Sequence, residues 1–234
     1  MGDFGAALST AIQLIIHLNH DLVEIILLSF QVSLGALVLG SIVGLLLGAA
    51  LAVVRFRGRS LVIAGLNASM GVPSVVVGLV VYLLLSRSGP LGSWGLLFTP
   101  TAMVIAQCIL VTPTVAAITR QTVEDLHEEY HEALCSFGSG PLRVVSTLLW
   151  DARFSLVTAI LAGYARAVED VGAVIIVGGN INHYTRVMTT AIALQTSKGE
   201  LPLAMALGIV LLVLALGVYV LAQLMRDVAF RRYA

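Results

Sequence analysis

The chain has 234 residues, of which 59% are hydrophobic and only 11% are charged. A soluble domain carries roughly a quarter charged residues, so this composition excludes an ordinary water-soluble globular protein. The thirteen basic and thirteen acidic residues balance, which gives no sign of a nucleic-acid or acidic partner. We therefore expect an all-α integral membrane protein, in which each spanning backbone group is paired inside its own helix.

Five apolar runs are long enough to cross the hydrocarbon layer, which takes roughly 20 helical residues. They cover residues 25–54, 61–85, 96–118, 154–177 and 201–224. The runs lack the alternation of barrel strands, so they predict five transmembrane helices. Before them, residues 4–18 are too short to span, but their apolar residues recur at helical spacing, which predicts a short N-terminal interfacial helix. We interpret residues 1–234 as a single membrane domain, because no repeat of fixed period divides them.

Basic residues indicate which connections face the cytoplasm. Nine of the thirteen lie after the first span, around the loop between the third and fourth spans, or near the C-terminus. They are Arg55, Arg57, Arg59, Arg120, Arg143, Arg153, Arg226, Arg231 and Arg232. We therefore expect the N-terminus outside, the C-terminus in the cytoplasm, and a cytoplasmic loop over about residues 120–153.

The first part of this loop fits the zinc-protease pattern H-E-x-x-H. On a helix, His127 and His131 would share a face, and Glu128 would activate a zinc-bound water. However, five of the thirteen acids lie between Glu124 and Glu132, which is typical of a helix that faces water. An intramembrane zinc metalloprotease is therefore kept only as an alternative of another functional class.

The second part of the loop resembles the cytoplasmic EAA loop of ABC importer permeases. That pattern is Glu-Ala-Ala, three residues, Gly, nine residues, Ile, one residue and Leu-Pro. Here residues 132–134 read Glu-Ala-Leu, Gly138 follows at the required distance, Leu148 stands at the Ile position, and Trp-Asp at 150–151 replaces Leu-Pro. The resemblance implies the type I ABC importer permease fold, with a cytoplasmic coupling helix between spans 3 and 4. The implied ATPase-coupling residues are His131, Glu132, Ala133, Leu134, Phe137 and Gly138.

A second block is similar to the molybdate, sulfate and tungstate permeases. Residues 165–180, ARAVEDVGAVIIVGGN, match their signature, although Asp170 stands where that family usually has Glu. Residues 84–92, 96–107 and 178–199 are most similar to tungstate permeases, and the whole resemblance runs from about Leu22 to Leu224. It implies an ATP-driven oxyanion importer of a prokaryotic inner membrane, with tungstate preferred and molybdate or sulfate as alternatives.

The expected partners also follow from this resemblance. The chain contains no G-x-x-x-x-G-K-[ST] pattern, so we expect it neither to bind ATP nor to be an enzyme itself. We expect no cofactor and no metal in this chain. The resemblance implies a homodimer with a second copy of the chain, two ABC ATPase subunits that carry ATP and Mg, and an extracytoplasmic oxyanion-binding protein.

Neutral polar residues in the second span are candidates for the transport pathway. Residues 67–78 read NASMGVPSVVVG, in which Pro73 interrupts the backbone hydrogen bonding. Asn67, Ser69 and Ser74 offer neutral hydrogen bonds, which suit a dianion that must bind weakly enough to leave. Ordinary helix packing is an equal alternative for each of these residues.

Three charges lie inside the fourth span. Charged residues in a span are costly and often functional, so Arg166, Glu169 and Asp170 are candidates for a gate or a subunit contact. Alternatively, Arg166 neutralises the two acids along the helix, because they follow it at i+3 and i+4. Both interpretations stay open at the level of the sequence.

The outside segment over residues 180–200 is polar. We expect it to form a short helix at the mouth of the pathway and to dock the binding protein, with a simple capping loop as the alternative. The candidate docking residues are Asn180, Arg186, Thr189, Thr190 and Gln195.

Overall fold

The structure is a computed structural model of the chain. It describes residue 9 and residues 12–13, 20–130 and 140–233, with side chains described except at 21, 141 and 225–233. Most of the expected interfacial helix over 4–18, and the whole coupling segment over 131–139, therefore lie outside the described residues.

The described part of the chain consists of α-helices, one short 3-10 helix and their connections. The α-helices are α1 (His20–Val53), α2 (Arg59–Met70), α3 (Ser74–Leu85), α4 (Pro100–Glu129), α5 (Pro141–Asp151), α6 (Arg153–Glu169), α7 (Gly172–Gly178), α8 (Met188–Lys198) and α9 (Leu201–Tyr233). The 3-10 helix, Gly92–Trp94, lies between α3 and α4. Within these residues the all-α prediction is confirmed.

Three helices are long and apolar enough to cross a membrane. These candidate spans are Leu22–Val53, Pro100–Glu129 and Leu201–Leu224. Two bent pairs, α2 with α3 and α5 with α6, raise the number to five if each pair forms one span. The described residues thus contain between three and five candidate spans, and the count of five stays a prediction.

Two of the predicted spans contain a break in their helix. The span over 61–85 divides between α2 and α3, where Pro73 has no backbone N–H to continue the helix. The span over 154–177 divides between Glu169 and Gly172, a break that no proline marks. These breaks give the polar residues of both spans non-helical neighbours, which matters for the site.

The chain forms two compact units, which we call the first and second unit. The first unit contains Met1–Gly35, Pro73–Gln107 and Val168–Tyr219, and the second contains Ala36–Val72, Cys108–Ala167 and Val220–Ala234. One core cluster of the first unit joins α1, α8 and α9 through Leu22, Met188, Ala191, Ala206 and Leu207. Another joins α1, α4 and α7 through Val32, Met103 and Val174, with Val187 beside them.

In the first unit, the connection from α3 to α4 folds back on its neighbours. Leu91 donates its backbone N–H to the Leu84 carbonyl at 3.0 Å, which closes the end of α3. Further along, Phe98 donates its N–H to the Val177 carbonyl at 3.0 Å, and its ring packs edge-on against Tyr82 with 6.1 Å between centroids. This connection is therefore held to both α3 and α7.

In the second unit, glycines of α1 allow close packing against α4. A Cβ on Gly44 would lie 2.8 Å from Val115 Cβ, and one on Gly48 would lie 2.8 Å from Thr119 Cβ and even closer to the Ala116 carbonyl oxygen. Gly40, one turn earlier, meets Val111 in the same way. Glycine at every fourth position thus lets the two helix backbones approach, as in helix pairs that associate within membranes.

Proline inside α4 is accommodated locally. Pro113 cannot donate the hydrogen bond that a helical residue makes to the fourth residue before it. The preceding residue, Thr112, donates its hydroxyl to the Cys108 carbonyl at 2.7 Å, and Thr114 lies within 3.5 Å of the Leu110 carbonyl. Such side-chain hydrogen bonds let a membrane helix continue through proline.

In the second unit, α5 buries Val144 and Leu148 against Ala49, Ala52 and Val123. The chain then bends by 83° between α5 and α6.

In the first unit, α8 ends at the exposed Lys198, after which Gly199 adopts a φ of 81°. Glycine takes this left-handed conformation without the steric cost that other residues meet.

Candidate functional site

Four of the predicted pathway residues lie in or beside the break between α2 and α3. Asn67 and Ser69 lie on α2 in the second unit, whereas Pro73 is the N-cap of α3 and Ser74 its first residue, both in the first unit. The Asn67 side chain is exposed, but Ser69 donates its hydroxyl to the Leu66 carbonyl of its own helix at 2.6 Å. Asn67 is therefore the more available hydrogen-bonding group of the two on α2.

Arg166 interacts with the same break. Its Nη2 donates to the backbone carbonyl of Val72 at 3.4 Å, across 94 residues of sequence. The first described hydrogen bonds of α3 go to the carbonyl of Pro73 instead, from Val76 and Val77. Arg166 thus links α6 to the chain just before Pro73, a long-range contact that its spacing to the acids on its own helix does not predict.

Asp170 forms the second break. Its side chain is 2% exposed, and its Oδ1 accepts the backbone N–H of Ala173 at 3.2 Å, so it caps the first turn of α7. Its backbone carbonyl accepts the Thr189 hydroxyl at 3.2 Å. Glu169, the last residue of α6, is exposed. The two neighbouring acids therefore differ in environment: one shapes the backbone and the other faces outward from the described chain.

Within the first unit the structure brings α3 and α7 together. A Cβ on Gly78 would lie 2.7 Å from the Ala173 Cα, and one on Gly172 would lie 2.8 Å from the Ser74 Oγ. The N-terminal turns of both helices thus meet at Ser74 and Gly172. The predicted pathway residue Ser74 consequently lies beside the start of α7, the helix that Asp170 caps.

The connection between α7 and α8 is a dense hydrogen-bond network. Thr190 Oγ1 accepts the Val187 N–H at 3.2 Å and donates to Asn180 Oδ1 at 3.0 Å. Thr185 Oγ1 donates to the Gly178 carbonyl at 2.6 Å and accepts the N–H of Ile181 at 2.9 Å. These contacts stabilise a turn in which three nearby residues have positive φ. They are Gly179, Asn180 and His183.

This network changes the set of residues that a partner could touch. Thr190 and Gln195 are buried, so their side chains stabilise the connection and are not available at its surface. Arg186 is partly exposed and donates to Asn182 Oδ1 at 2.7 Å. The residues that project from the connection are instead those of its tip, 181–184, which the sequence-based choice did not include.

The tip is also joined to α1. His183 Nδ1 lies 2.7 Å from Glu24 Oε2, and Ser29 Oγ accepts the backbone N–H of Met188 at 2.7 Å. Both contacts link positions 159 residues apart. No local spacing in the sequence signals them, because only the folded helices bring these residues together.

On the side predicted to be cytoplasmic, one acid joins two arginines. Glu124 on α4 pairs with Arg59 of α2 at 2.7 Å and with Arg120 one turn earlier on its own helix. Arg59 Nε also donates to the Leu51 carbonyl at 2.8 Å, which satisfies one of the unpaired carbonyls at the end of α1. This arrangement, which we call the arginine clamp, joins α1, α2 and α4 immediately before the coupling segment.

The residues predicted to couple to an ATPase are not described. His131, Glu132, Ala133, Leu134, Phe137 and Gly138 all lie outside the described residues. On either side of them, α4 ends at Glu129 and α5 begins at Pro141. Because both flanking helices pack against the end of α1 through Val123, Val144 and Leu148, the coupling segment is bounded by anchored helices.

The zinc alternative finds no support. His127 and Glu128 lie in the last turn of α4, and His131 falls outside the described residues. Among the residues that the structure describes, no group of three His, Cys, Asp or Glu side chains is arranged to hold a metal ion. The relatives described next are transport proteins, which also gives no basis for a hydrolase.

Comparison with known proteins places this geometry in a family. The protein family described as "Binding-protein-dependent transport system inner membrane component" matches residues 36–230 of this chain. A probable anion ABC transporter permease protein of Haloferax volcanii is 42% identical over 211 residues, which cover 88% of this chain and 91% of the relative. A tungstate uptake system permease protein of Peptoclostridium acidaminophilum is 39% identical over 208 residues, covering 89% and 91%.

A more distant relative is a sulfate transport system permease protein of Escherichia coli. It is 27% identical over 188 residues, which cover 77% of this chain and 68% of the relative. The resemblance inferred from the two sequence blocks is confirmed by these matches. This chain belongs to the family of binding-protein-dependent transport system inner membrane components.

Proposed function

We propose that the chain is the membrane-spanning permease subunit of an ATP-driven ABC importer for an oxyanion, with tungstate as the preferred cargo. The observation that carries this proposal is the 39% identity, over 89% of the chain, to a tungstate uptake system permease protein. The lower identity of 27% to a sulfate permease favours tungstate over sulfate. In this role the chain is a transport subunit and ATP is hydrolysed elsewhere.

The proposed topology has five spans. It pairs α2 with α3 as the second span and α6 with α7 as the fourth, in a prokaryotic inner membrane with the N-terminus outside and the C-terminus in the cytoplasm. The length and apolar character of α1, α4 and α9 support three of these spans. The second and fourth follow the apolar runs over 61–85 and 154–177, and the latter covers α6 and α7 rather than the bent pair of α5 and α6. The distribution of arginines supports the orientation.

ATPase coupling is proposed for the segment between α4 and α5. In this proposal an ATPase subunit contacts Glu132, Ala133, Leu134, Phe137 and neighbouring residues, and each ATPase carries ATP and Mg. The arginine clamp supports this role because it ties the end of α4 to α1 and α2. A displacement of the coupling segment is then transmitted through α4 to α1 and α2, because the clamp joins the end of α4 to both helices.

Pathway contacts are proposed for Asn67 of α2 and, separately, for Ser74 at the start of α3. The Asn67 amide and the Ser74 hydroxyl offer neutral hydrogen bonds, which suit transient contact with a dianion. Asp170 is assigned the role of capping α7, because its buried carboxylate accepts the Ala173 N–H. Arg166 and Glu169 remain the candidates for a gate or a contact with a second copy of the chain.

Binding-protein docking is proposed at the outer tip rather than at the buried threonine. The exposed residues 181–184 and the partly exposed Arg186 present polar and aromatic groups on a turn held by the Thr185 and Thr190 hydrogen bonds. A rigid turn loses little conformational freedom when a partner binds. Asn180 stabilises this turn through its hydrogen bond with Thr190, and Thr189 joins α8 to the Asp170 carbonyl.

In the assembled importer, two copies of the chain act with two ATPase subunits and one external oxyanion-binding protein. ATP binding brings the ATPases and the coupling helices together and opens the pathway outward. The captured anion then enters, and hydrolysis returns the pathway to its inward-facing form. This cycle accounts for import by a chain whose own sequence has no nucleotide-binding loop.

The test is reconstitution of the complete importer in vesicles, with ATPase and binding protein from the same source. We expect ATP-dependent uptake of tungstate, and weaker uptake of molybdate and sulfate when each is offered with the same binding protein. Transport of sulfate in preference to tungstate would contradict the cargo assignment. Uptake that is independent of ATP would contradict the importer class altogether.

A further inference from the structure

A cationic and aromatic cluster lies at the turn between α5 and α6. The guanidinium carbon of Arg153 is 4.8 Å from the centroid of the Trp150 ring and 4.5 Å from that of the Phe154 ring. Arg153 Nη1 also donates to the Trp150 backbone carbonyl at 2.7 Å. Stacking on two aromatic rings and a carbonyl hydrogen bond together hold this positive charge in a defined position.

The cluster faces outward from the second unit. The inner face of α5 is buried through Val144 and Leu148, whereas Trp150 on the opposite side is 68% exposed. Leu142, near the start of α5, is 86% exposed. Trp150 therefore buries little of its indole surface against the described part of the chain and is open to contact from outside it.

The surroundings are indicated by the adjoining helix. The long apolar run of the fourth predicted span starts at Phe154, directly after Arg153. Since α5 bends by 83° from α6, a membrane crossed by α6 would have α5 lying nearly along its surface. The turn would then be at the level of the lipid headgroups, where tryptophan and arginine are the favoured side chains.

We propose that the Trp150–Arg153–Phe154 cluster binds the phosphate headgroup of an anionic phospholipid. The planar guanidinium matches two phosphate oxygens, the indole lies in the interface, and Phe154 contacts the upper acyl chain. Arg143, exposed on the same helix, adds a second positive charge, and Asp151 is the opposing charge on α5. This site goes beyond the proposed transport function and uses only the proposed membrane placement of α6.

An ATPase subunit is the other class of partner that this side of the chain faces in the proposed importer. The lipid is favoured because the apolar run begins directly after Arg153, so the proposed placement of α6 in the membrane puts Trp150 and Phe154 at its interface. A cluster covered by protein would shield Trp150 from lipid. The test below distinguishes these two occupants.

The experiment measures contact between Trp150 and individual lipids. The chain has two tryptophans, so Trp94→Phe leaves Trp150 as the only indole. The full-length Trp94→Phe protein is reconstituted in vesicles of phosphatidylcholine containing about one quarter phosphatidylglycerol, a composition that mimics an anionic leaflet. Bromine-labelled acyl chains, which quench tryptophan, are placed either on the phosphatidylglycerol or on an equal amount of the phosphatidylcholine.

We expect about two- to fivefold stronger quenching by the labelled phosphatidylglycerol, because one arginine near the surface enriches anionic lipid by about that factor. Arg153→Gln should bring the two quenching values to equality, and Arg153→Lys should retain part of the preference. Asp151→Asn should increase it. The matched control is Arg57→Gln, which removes an exposed charge from the connection between α1 and α2 and should leave the preference unchanged.

Three results would overturn the proposal. Equal quenching by both lipids with Arg153 intact would show that no anionic headgroup is selected. Absence of quenching by either lipid would show that Trp150 faces water or protein. Loss of the phosphatidylglycerol preference on addition of millimolar inorganic phosphate would identify a general anion site instead of a lipid site.

Discussion

At the scale of single residues, we expect the negative charge of Glu124 to contribute to the stability of the protein. Its two oxygens pair separately with Arg59 and Arg120, and these side chains are only about one fifth to one quarter exposed. Glu124→Gln leaves two arginines facing each other without a counter-charge. We expect a loss of about 1–3 kcal/mol of stability, between the values for exposed and for buried pairs, measured by thermal unfolding in detergent.

The matched control for Glu124 is its neighbour Asp125. This acid is exposed on the same turn of α4, so Asp125→Asn removes the same charge outside the clamp and should change the unfolding temperature little. Because the clamp is partly solvated, the effect of Glu124→Gln should shrink in high salt. Equal effects of the two substitutions would show that net charge, and not the clamp, determines stability.

Two substitutions of Asp170 distinguish its role as a helix cap from a role of its negative charge. Asp170→Ala removes the oxygen that accepts the Ala173 N–H, and loss of such a cap costs about 0.5–2 kcal/mol. Asp170→Asn keeps an oxygen acceptor but removes the charge. We expect the alanine variant to unfold at lower temperature and the asparagine variant to stay near the parent protein.

Transport measurements complete this comparison for Asp170. If capping is its function, reconstituted importers with Asp170→Asn should take up tungstate at close to the parental rate. A stable asparagine variant with strongly reduced uptake would assign the carboxylate charge itself to the gate. That result would contradict the structural role given to this residue.

Some local features of the structure could be predicted from the sequence, and others could not. Pro73 predicts the break before α3 because a proline cannot continue a helix, and the break is present. The break at Asp170 has no such mark, because it depends on a buried cap and on the contact of Gly172 with Ser74. The Arg59–Glu124 pair joins residues 65 positions apart, which composition and spacing cannot reveal.

At the scale of helices, the glycines of α1 determine how closely it packs on α4. A Cβ at Gly48 would meet the backbone at Ala116 and Arg120, which cannot move aside as a flexible side chain does. We expect Gly48→Ala to force the two helices apart and to destabilise the protein by about 1–3 kcal/mol. Thermal unfolding and the yield of folded protein in detergent measure this effect.

The control lies on the same helix. A Cβ at Gly35 would lie 3.5 Å from the Val104 side chain, an ordinary contact, so Gly35→Ala should be neutral or gain up to about 1 kcal/mol of helix propensity. Glycine recurs at every fourth position in this part of α1, a spacing that favours close helix packing but that was not among the sequence-based predictions. What the sequence does not show is the partner, since several spans carry small residues.

At the scale of the whole molecule, the prediction concerns the coupling segment. Glu132→Arg places a positive charge in the middle of the proposed ATPase contact, where it leaves a reversed charge in a largely desolvated interface. We expect the ATPase subunit to dissociate during purification and ATP-dependent tungstate uptake to fall at least about tenfold, the change that 1.4 kcal/mol of lost affinity produces. Co-purification and vesicle uptake are the two measurements.

Glu128 provides the control for this reversal. It is exposed on the last turn of α4, four residues before Glu132, so Glu128→Arg makes the same change of charge outside the proposed contact. We expect the ATPase to stay bound to this variant. Intact ATPase association and intact uptake in Glu132→Arg would mean that coupling takes place elsewhere on the chain.

The end of α8 gives the molecule a chemical handle for its orientation. Lys198 is the only lysine side chain in the sequence, and it is exposed where the helix stops before Gly199. A membrane-impermeant amine reagent with a mass tag therefore reports one side-chain position in intact cells. We expect modified Lys198 peptides from cells labelled externally and their absence from inside-out vesicles. The opposite pattern would reverse the assigned sidedness of every loop at once.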